Sequence, residues 1–180
     1  NFSKSDLEGV FLINRKPIID NRGSFSRMFC VDDFKFEGFD RPIKQINRTV
    51  TIQKGAMRGM HLQLPPSDEY KIVSCLKGKV HDVVLDIRRG SPTFLQSRHV
   101  VLSSESLNAV LVPPGCAHGF QTLEDNCEML YLHSENHNPN TEMTVNVLDP
   151  KIGINWPIEI TGMSLKDKNS PMLNDKFKGI

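Results

Sequence analysis

Short runs in which apolar and polar residues alternate, broken by Gly, Pro, Asn and Asp, fill most of this chain. Gly9–Ile19 is rich in β-branched and aromatic residues and predicts a strand, ended by the turn chemistry of Asp20-Asn21-Arg22-Gly23. Ser24–Cys30 alternates and predicts a returning strand with Phe25, Arg27 and Phe29 on one face. Val31–Pro42, with Gly38 inside it, predicts a short helical turn and a loop. Ile43–Thr51 alternates again and lines up Gln45, Asn47 and Thr49, which suggests a pocket wall as much as a solvated face. Further short strands are expected at Lys71–Leu76, Lys79–Asp86, Arg98–Leu102, Ala109–Val112 and Cys127–His133. Leu64–Glu69, with two consecutive prolines, must be loop. Thr141–Ile180 reads as an extended strap with a short helix near Ser164–Lys168. Many short strands at even spacing, with no sustained helical periodicity, predict one all-β domain over residues 1–180, a sandwich or barrel.

Composition narrows the partners. The 180 residues carry 22 basic and 21 acidic side chains, a net charge of +1. There is no broad basic field for nucleic acid or an anionic membrane, so an anionic ligand has to be held by a few placed cations. No apolar run approaches the ~20 residues of a spanning helix. Asn1–Glu8 lacks the layout of a secretory signal, and the four cysteines are scattered without a C-x-x-C pair. Reduced core cysteines and a cytoplasmic setting are expected.

Two segments carry the candidate chemistry. Gly55–Gln63 reads G-A-M-R-G-M-H-L-Q, and strict alternation sends Arg58 and His61 to opposite faces unless a bulge at Gly59 re-aims one of them. Pro113–Phe120, P-P-G-C-A-H-G-F, reads as a tight turn that delivers His118 to the mouth of a barrel. Each histidine has a bland alternative, a core or turn imidazole satisfied by a carbonyl. No metal is expected, because position 63 is Gln and the further ligands of a metal site are missing. Tyr131 shares a face with Cys127, Met129 and His133, and is either a core phenol or a proton donor facing His61. Lys71 is a solvated strand end or a cation drawn into a pocket to stabilise negative charge. Asp167 is an exposed carboxylate or the partner that orients His61. Arg22 has Asp20 as a local partner.

Together R-G-M-H-L-Q, the Lys71 strand, D-I-R-R-G-S-P-T-F (Asp86–Phe94), P-x-G-x-A-H-G-F, L-Y, D-P-x-I-G-I-x-W-P (Asp149–Pro157) and S-x-K-D resemble the sugar-nucleotide 3,5-epimerases typified by dTDP-4-dehydrorhamnose 3,5-epimerase. The likeness runs in order from about Gly9 to Pro171. It implies a metal-free cupin jelly roll of two antiparallel sheets with short peripheral helices, without cofactor, in a homodimer whose N-terminal strands cross to the partner. It also implies epimerisation of a nucleoside-diphosphate 4-keto-6-deoxy sugar in cell-surface carbohydrate biosynthesis. In that scheme His61 is the base, Asp167 its partner, Tyr131 the acid, and Lys71 with His118 the enolate stabilisers. Arg22 and Arg58 match the diphosphate-binding arginines, and Phe25, Gln45 and Asn47 match positions near base and sugar. Two departures stand out: Arg27 where the family often has Glu, near the nucleobase, and Asn136-His137 where it often has Tyr-Tyr. A non-catalytic sugar-nucleotide-binding cupin and a 3,4-ketoisomerase on the same substrate class are the alternatives.

Overall fold

The computed structural model describes residues 1–35 and 39–180. In chain order its elements begin with β1 (Phe2–Lys4), β2 (Phe11–Asn14), β3 (Ile18–Asp20), β4 (Gly23–Phe25), α1 (Val31–Lys35), β5 (Gln45–Thr51) and β6 (Met57–Gln63). They continue with β7 (Lys71–Lys77), β8 (Lys79–Asp86), β9 (Ser97–Ser103), β10 (Asn108–Val112), β11 (Cys116–Thr122), β12 (Cys127–His133), β13 (Glu142–Thr144) and α2 (Leu165–Lys168). One antiparallel sheet has the order β1-β2-β10-β7-β12-β5 and a second the order β13-β6-β11-β8-β9. The two pack face to face as a jelly roll. The β3–β4 hairpin stands apart, with Ile18, Ile19 and Phe25 largely exposed.

Alternation decides what each strand contributes. Val73 and Cys75 of β7, Cys127 and Met129 of β12, and Val80 and Val84 of β8 point between the sheets and form a core with Phe120 of β11. The outer faces are covered too. Phe34 and Phe39 cap Ile72 and Leu132 on one sheet, while Trp156, Ile160 and their neighbours in the C-terminal strap cap Val83, Leu85 and Ala117 on the other. Cys75, Cys116 and Cys127 are buried free thiols and Cys30 a half-buried one.

This double covering explains one difference from the sequence reading. All seven residues of β11 are buried, so it has no polar face to alternate with, and its Gly and His read as a turn. His118 therefore sits in mid-strand rather than at a barrel mouth. Gly9–Ile19 is two strands broken at Pro17, since proline donates nothing to a ladder, and Ser24–Cys30 keeps only the first part of its predicted strand. The helical turn expected within Val31–Pro42 is α1, while Gly38 lies outside the described residues. The strap contains the unforeseen β13 and the expected short helix, α2.

The bulge at Gly59 is present. His61 pairs with His118 and Arg58 with Phe120, so Gly59 and Met60 together oppose the single residue Gly119. A Cβ on Gly59 would lie 2.5 Å from Gly119 Cα, and its φ of +133° is one that side-chain-bearing residues avoid. At the far end of β8, buried Asp86 accepts hydrogen bonds from Arg88 N, Nε and Nη2, Ser91 Oγ and Thr93 Oγ1. Arg88 also reaches the Glu8 carbonyl, tying the N-terminal segment to this corner. Burial works against ionisation of Asp86, but these donors outweigh it and hold its carboxyl far below the usual range.

Gly59→Ala is expected to cost about 3 kcal/mol, a fall of roughly 6–12 °C in Tm by scanning calorimetry. Gly162→Ala, whose nearest new contact would be 3.9 Å away, should change stability by less than about 0.5 kcal/mol. Because the folded-state pKa of Asp86 is depressed, its contribution is complete above the unfolded value of about 4 and is lost as pH falls below it. Asp86→Asn should therefore destabilise by about 2–4 kcal/mol at pH 7 in urea titrations, with the gap to wild type narrowing below about pH 4.

Candidate active site

The open end of the sandwich holds a cavity of about 700 Å³. The Gly59 bulge turns both Arg58 and His61 into it. Where β6 crosses its rim, Arg58 Nε donates to Thr51 Oγ1 at 2.9 Å and Nη2 reaches the Val50 carbonyl at 3.4 Å. No carboxylate pairs with this guanidinium among the described residues. Its charge is therefore left uncompensated at the cavity wall.

His61 is half-buried and its Nε2 lies 2.6 Å from Asp167 Oδ1. Asp167 is placed by the cap of α2, where Ser164 Oγ accepts from Asp167 N at 3.0 Å, and its other oxygen accepts from Gly59 N at 3.4 Å. Burial disfavours its charge, yet the hydrogen bond and charge of His61 prevail and keep its carboxyl below the ordinary range. With Nε2 committed to Asp167, Nδ1 is the ring nitrogen of His61 that has no hydrogen-bond partner among the described residues.

A second buried dyad lies beside the first, with His118 Nε2 2.7 Å from Asp82 Oδ2. Register brings His118 directly opposite His61 across the β6–β11 ladder. Lys71, at the start of β7, is buried, donates from Nζ to the His61 carbonyl at 3.1 Å and lies 3.4 Å from Glu69 Oε1. Burial drives its pKa down against the pull of Glu69. Tyr131 enters from β12 on the opposite sheet, its ring 6.3 Å from that of His118. Burial raises its phenol pKa, so it keeps its proton at neutral pH.

Of the residues singled out in the sequence, His61, Asp167, Lys71, His118, Tyr131, Arg58 and Asn47 converge on this cavity. Gln45 lies just beyond its wall, donating to Asn47 Oδ1 and accepting from His137 N. Arg22, Phe25 and Arg27 are not brought to the cavity of their own chain. Arg22 is exposed and pairs with Asp20 at 2.6 Å, and Arg27 lies 3.4 Å from Asp33. The hairpin that carries Arg22 and Phe25 is a sheet of its own, joined to neither main sheet, and local spacing could not give its position.

The sequence reading passed over Asp82, Glu69, Glu142 and Lys166, all carried by segments whose pairing decides where they point, and it noted His137, which also lines the cavity, only as a departure from the family pattern. His133, which alternation puts on the Tyr131 face, has Nδ1 2.8 Å from Glu69 Oε2. Glu142 is held by Lys166 at 2.6 Å and His137 at 3.3 Å. For Asp82 the signal was available in H-D-V-V-L-D, where its parity with Val80 and Val84 points it inward.

Among the described residues no helix is long and apolar enough to cross a membrane. The family model for dTDP-4-dehydrorhamnose 3,5-epimerase matches residues 4–175. A dTDP-4-dehydrorhamnose 3,5-epimerase of Mycobacterium tuberculosis is 38% identical over 173 residues, 95% of this chain and 81% of that protein. Among solved structures, the dTDP-6-deoxy-D-glucose-3,5-epimerase of Legionella pneumophila, in complex with dTDP-4-keto-L-rhamnose, superposes with a TM-score of 0.90 at 33% identity. That match covers 96% of this chain and 92% of the other. The 3'-monoepimerase of Streptomyces bikiniensis, in complex with dTDP-quinovose, gives 0.87 at 34% identity over 93% and 85% of the two chains. With a family model spanning nearly its whole length and relatives above 30% identity, the chain belongs to the dTDP-4-dehydrorhamnose 3,5-epimerase family.

Proposed function

We propose that this chain is an isomerase that inverts C3, C5 or both of a nucleoside-diphosphate 4-keto-6-deoxy sugar, as a single domain over residues 1–180. The observation that carries the reading is the placement of His61, held by Asp167 at 2.6 Å, and half-buried Tyr131 on opposite sheets of one cavity. C3 and C5 both flank the C4 carbonyl, so loss of a proton from either gives an enolate. Nδ1 of His61 takes that proton, and Asp167 stabilises the imidazolium that forms. Lys71 and His118 face the developing enolate oxygen in a water-poor pocket, a contribution worth several kcal/mol in comparable sites. Tyr131 returns a proton from the other side of the ring, which inverts the centre. An enolate carbon is more basic than a phenolate, so a phenol with a raised pKa still delivers.

Arg58 holds the diphosphate, and Asn47 with Gln45 lines the approach for sugar and base. Arg22, Phe25 and Arg27 act in trans: the apolar β3–β4 hairpin docks on a second copy of the chain, in a homodimer, and carries them to the partner's cavity mouth. Arg27 then favours a carbonyl-rich base edge such as cytosine or guanine. Asn136-His137 in place of a tyrosine pair favours inversion at one carbon. The setting is cytoplasmic cell-surface sugar biosynthesis.

In D2O, NMR with dTDP-, CDP- and GDP-linked 4-keto-6-deoxy sugars should show exchange at C3 or C5. Exchange should fall at least 10³-fold in His61→Ala and about 10–100-fold in Asp167→Asn. No exchange with any of the three would sink the epimerase reading, and a clear dTDP preference would refute the role given to Arg27. The trans arm has its own test. His61→Ala and Arg22→Ala, each inactive or weak alone, should regain up to about a quarter of wild-type activity when mixed and refolded together, because one site of the mixed dimer is intact. Absence of recovery with a dimer present in solution would put Arg22 outside the site.

A further inference from the structure

The cavity holds a charged cluster that the epimerase reading leaves without a role. Glu69 is buried at the end of the proline loop, and its two oxygens are divided: Oε1 lies 3.4 Å from Lys71 Nζ and Oε2 2.8 Å from His133 Nδ1. The loop is stitched in place. Gln63 Nε2 donates to the Ser67 carbonyl, Asn138 Nδ2 to Ser67 Oγ, and Tyr70 and Ser134 bond to each other through both Tyr70 N to Ser134 Oγ and Ser134 N to the Tyr70 carbonyl. His133 sits opposite Lys71 in the β7–β12 ladder, stacks on Tyr131 at 6.0 Å, and has Nε2 3.4 Å from Asn47 Nδ2. A carboxylate this buried, shared this way and lining a cavity does more than fill space.

We propose that Glu69, gripped by His133, is a positioning residue that keeps Lys71 an ammonium ion directed into the cavity. The inference rests on the epimerase reading, in which Lys71 must be charged to stabilise an enolate oxygen. An ammonium ion buried without a counter-charge gives up its proton, and as a neutral amine it loses most of its value to an oxyanion. A carboxylate that closed on it fully would have the opposite fault, since it would take the ammonium's donors for itself. His133 resolves the conflict by holding Oε2, which leaves only the longer contact to Lys71. Two of the three Nζ donors then go to the His61 carbonyl and Glu69, and the third is free for the substrate.

The other groups around Lys71 do not replace Glu69. From β6, His61 presents its carbonyl to Nζ and commits its ring to Asp167. From β13, Glu142 pulls in the same direction as Glu69, but it is already paired with Lys166 and His137. From β12, Tyr131 keeps its proton because desolvation raises its phenol pKa, and His133 is bound to Glu69.

The proposal predicts shifts of opposite sign. Glu69→Gln keeps the shape and removes the charge, so the Lys71 titration followed through its 13Cε resonance, assigned with Lys71→Arg, should move down by about one pH unit or more. The alkaline limb of kcat should move down with it, while activity at the acid end changes little. His133→Leu frees Glu69 to close on Lys71. The same titration should then move up, with kcat reduced about 10-fold and KM little changed. A purely structural role would lower activity evenly across pH and leave the Lys71 titration where it is. An unmoved titration in Glu69→Gln, or same-direction shifts in the two variants, would overturn the proposal. Because the titration is read without substrate, that result stands even if the wild-type protein exchanges no sugar proton.

Discussion

Contact between two backbones governs this site. Gly59 and Gly119 approach so closely that neither has room for a Cβ, and the extra residue taken up on β6 reverses the parity of that strand between Arg58 and His61. Without the reversal one of the two would face the strap instead of the cavity. With it, a guanidinium and an imidazole stand on the same wall, and the imidazole meets Asp167 from α2, whose other oxygen accepts from Gly59 N. One local irregularity thus sets the register, the aim of two side chains and the docking of a distant helix.

The rest of the sandwich surrounds that irregularity with rigidity. The central strands are packed on both faces, so the polar groups around the cavity sit in a wall that is packed from behind: His118 over Asp82, Lys71 over Glu69, Tyr131 between His133 and the core. Charged pairs buried this deeply give little net stability. Here they hold each proton at a defined atom, which is what a reaction made of two proton transfers requires.

Much of this was legible in the sequence. Alternation and turn punctuation together located β5, β7, β8 and β12 to within a residue or two, and the Arg-Gly-x-His pattern pointed to the bulge on spacing alone. The strand carrying His118 was not legible, because a strand buried on both faces loses its alternation and this one needs a glycine in mid-course. Partnerships such as His133 with Glu69 join residues 64 positions apart through the loop that precedes β7. Such pairs are set by register and loop closure, and neither is written in local pattern. The direction of the hairpin was hidden for another reason: Pro17 separates β2 from β3, and the hairpin beyond it pairs with neither main sheet.

That hairpin carries a consequence for the organism that makes the protein. Ile18, Ile19 and Phe25 are 69%, 73% and 68% exposed, far more apolar surface than a free arm of this size ordinarily leaves in water. If the arm completes a neighbour's site, output per molecule depends on how many molecules there are. Pathway flux would then rise faster than linearly with expression at low abundance and level off to simple proportionality once most copies have found a mate.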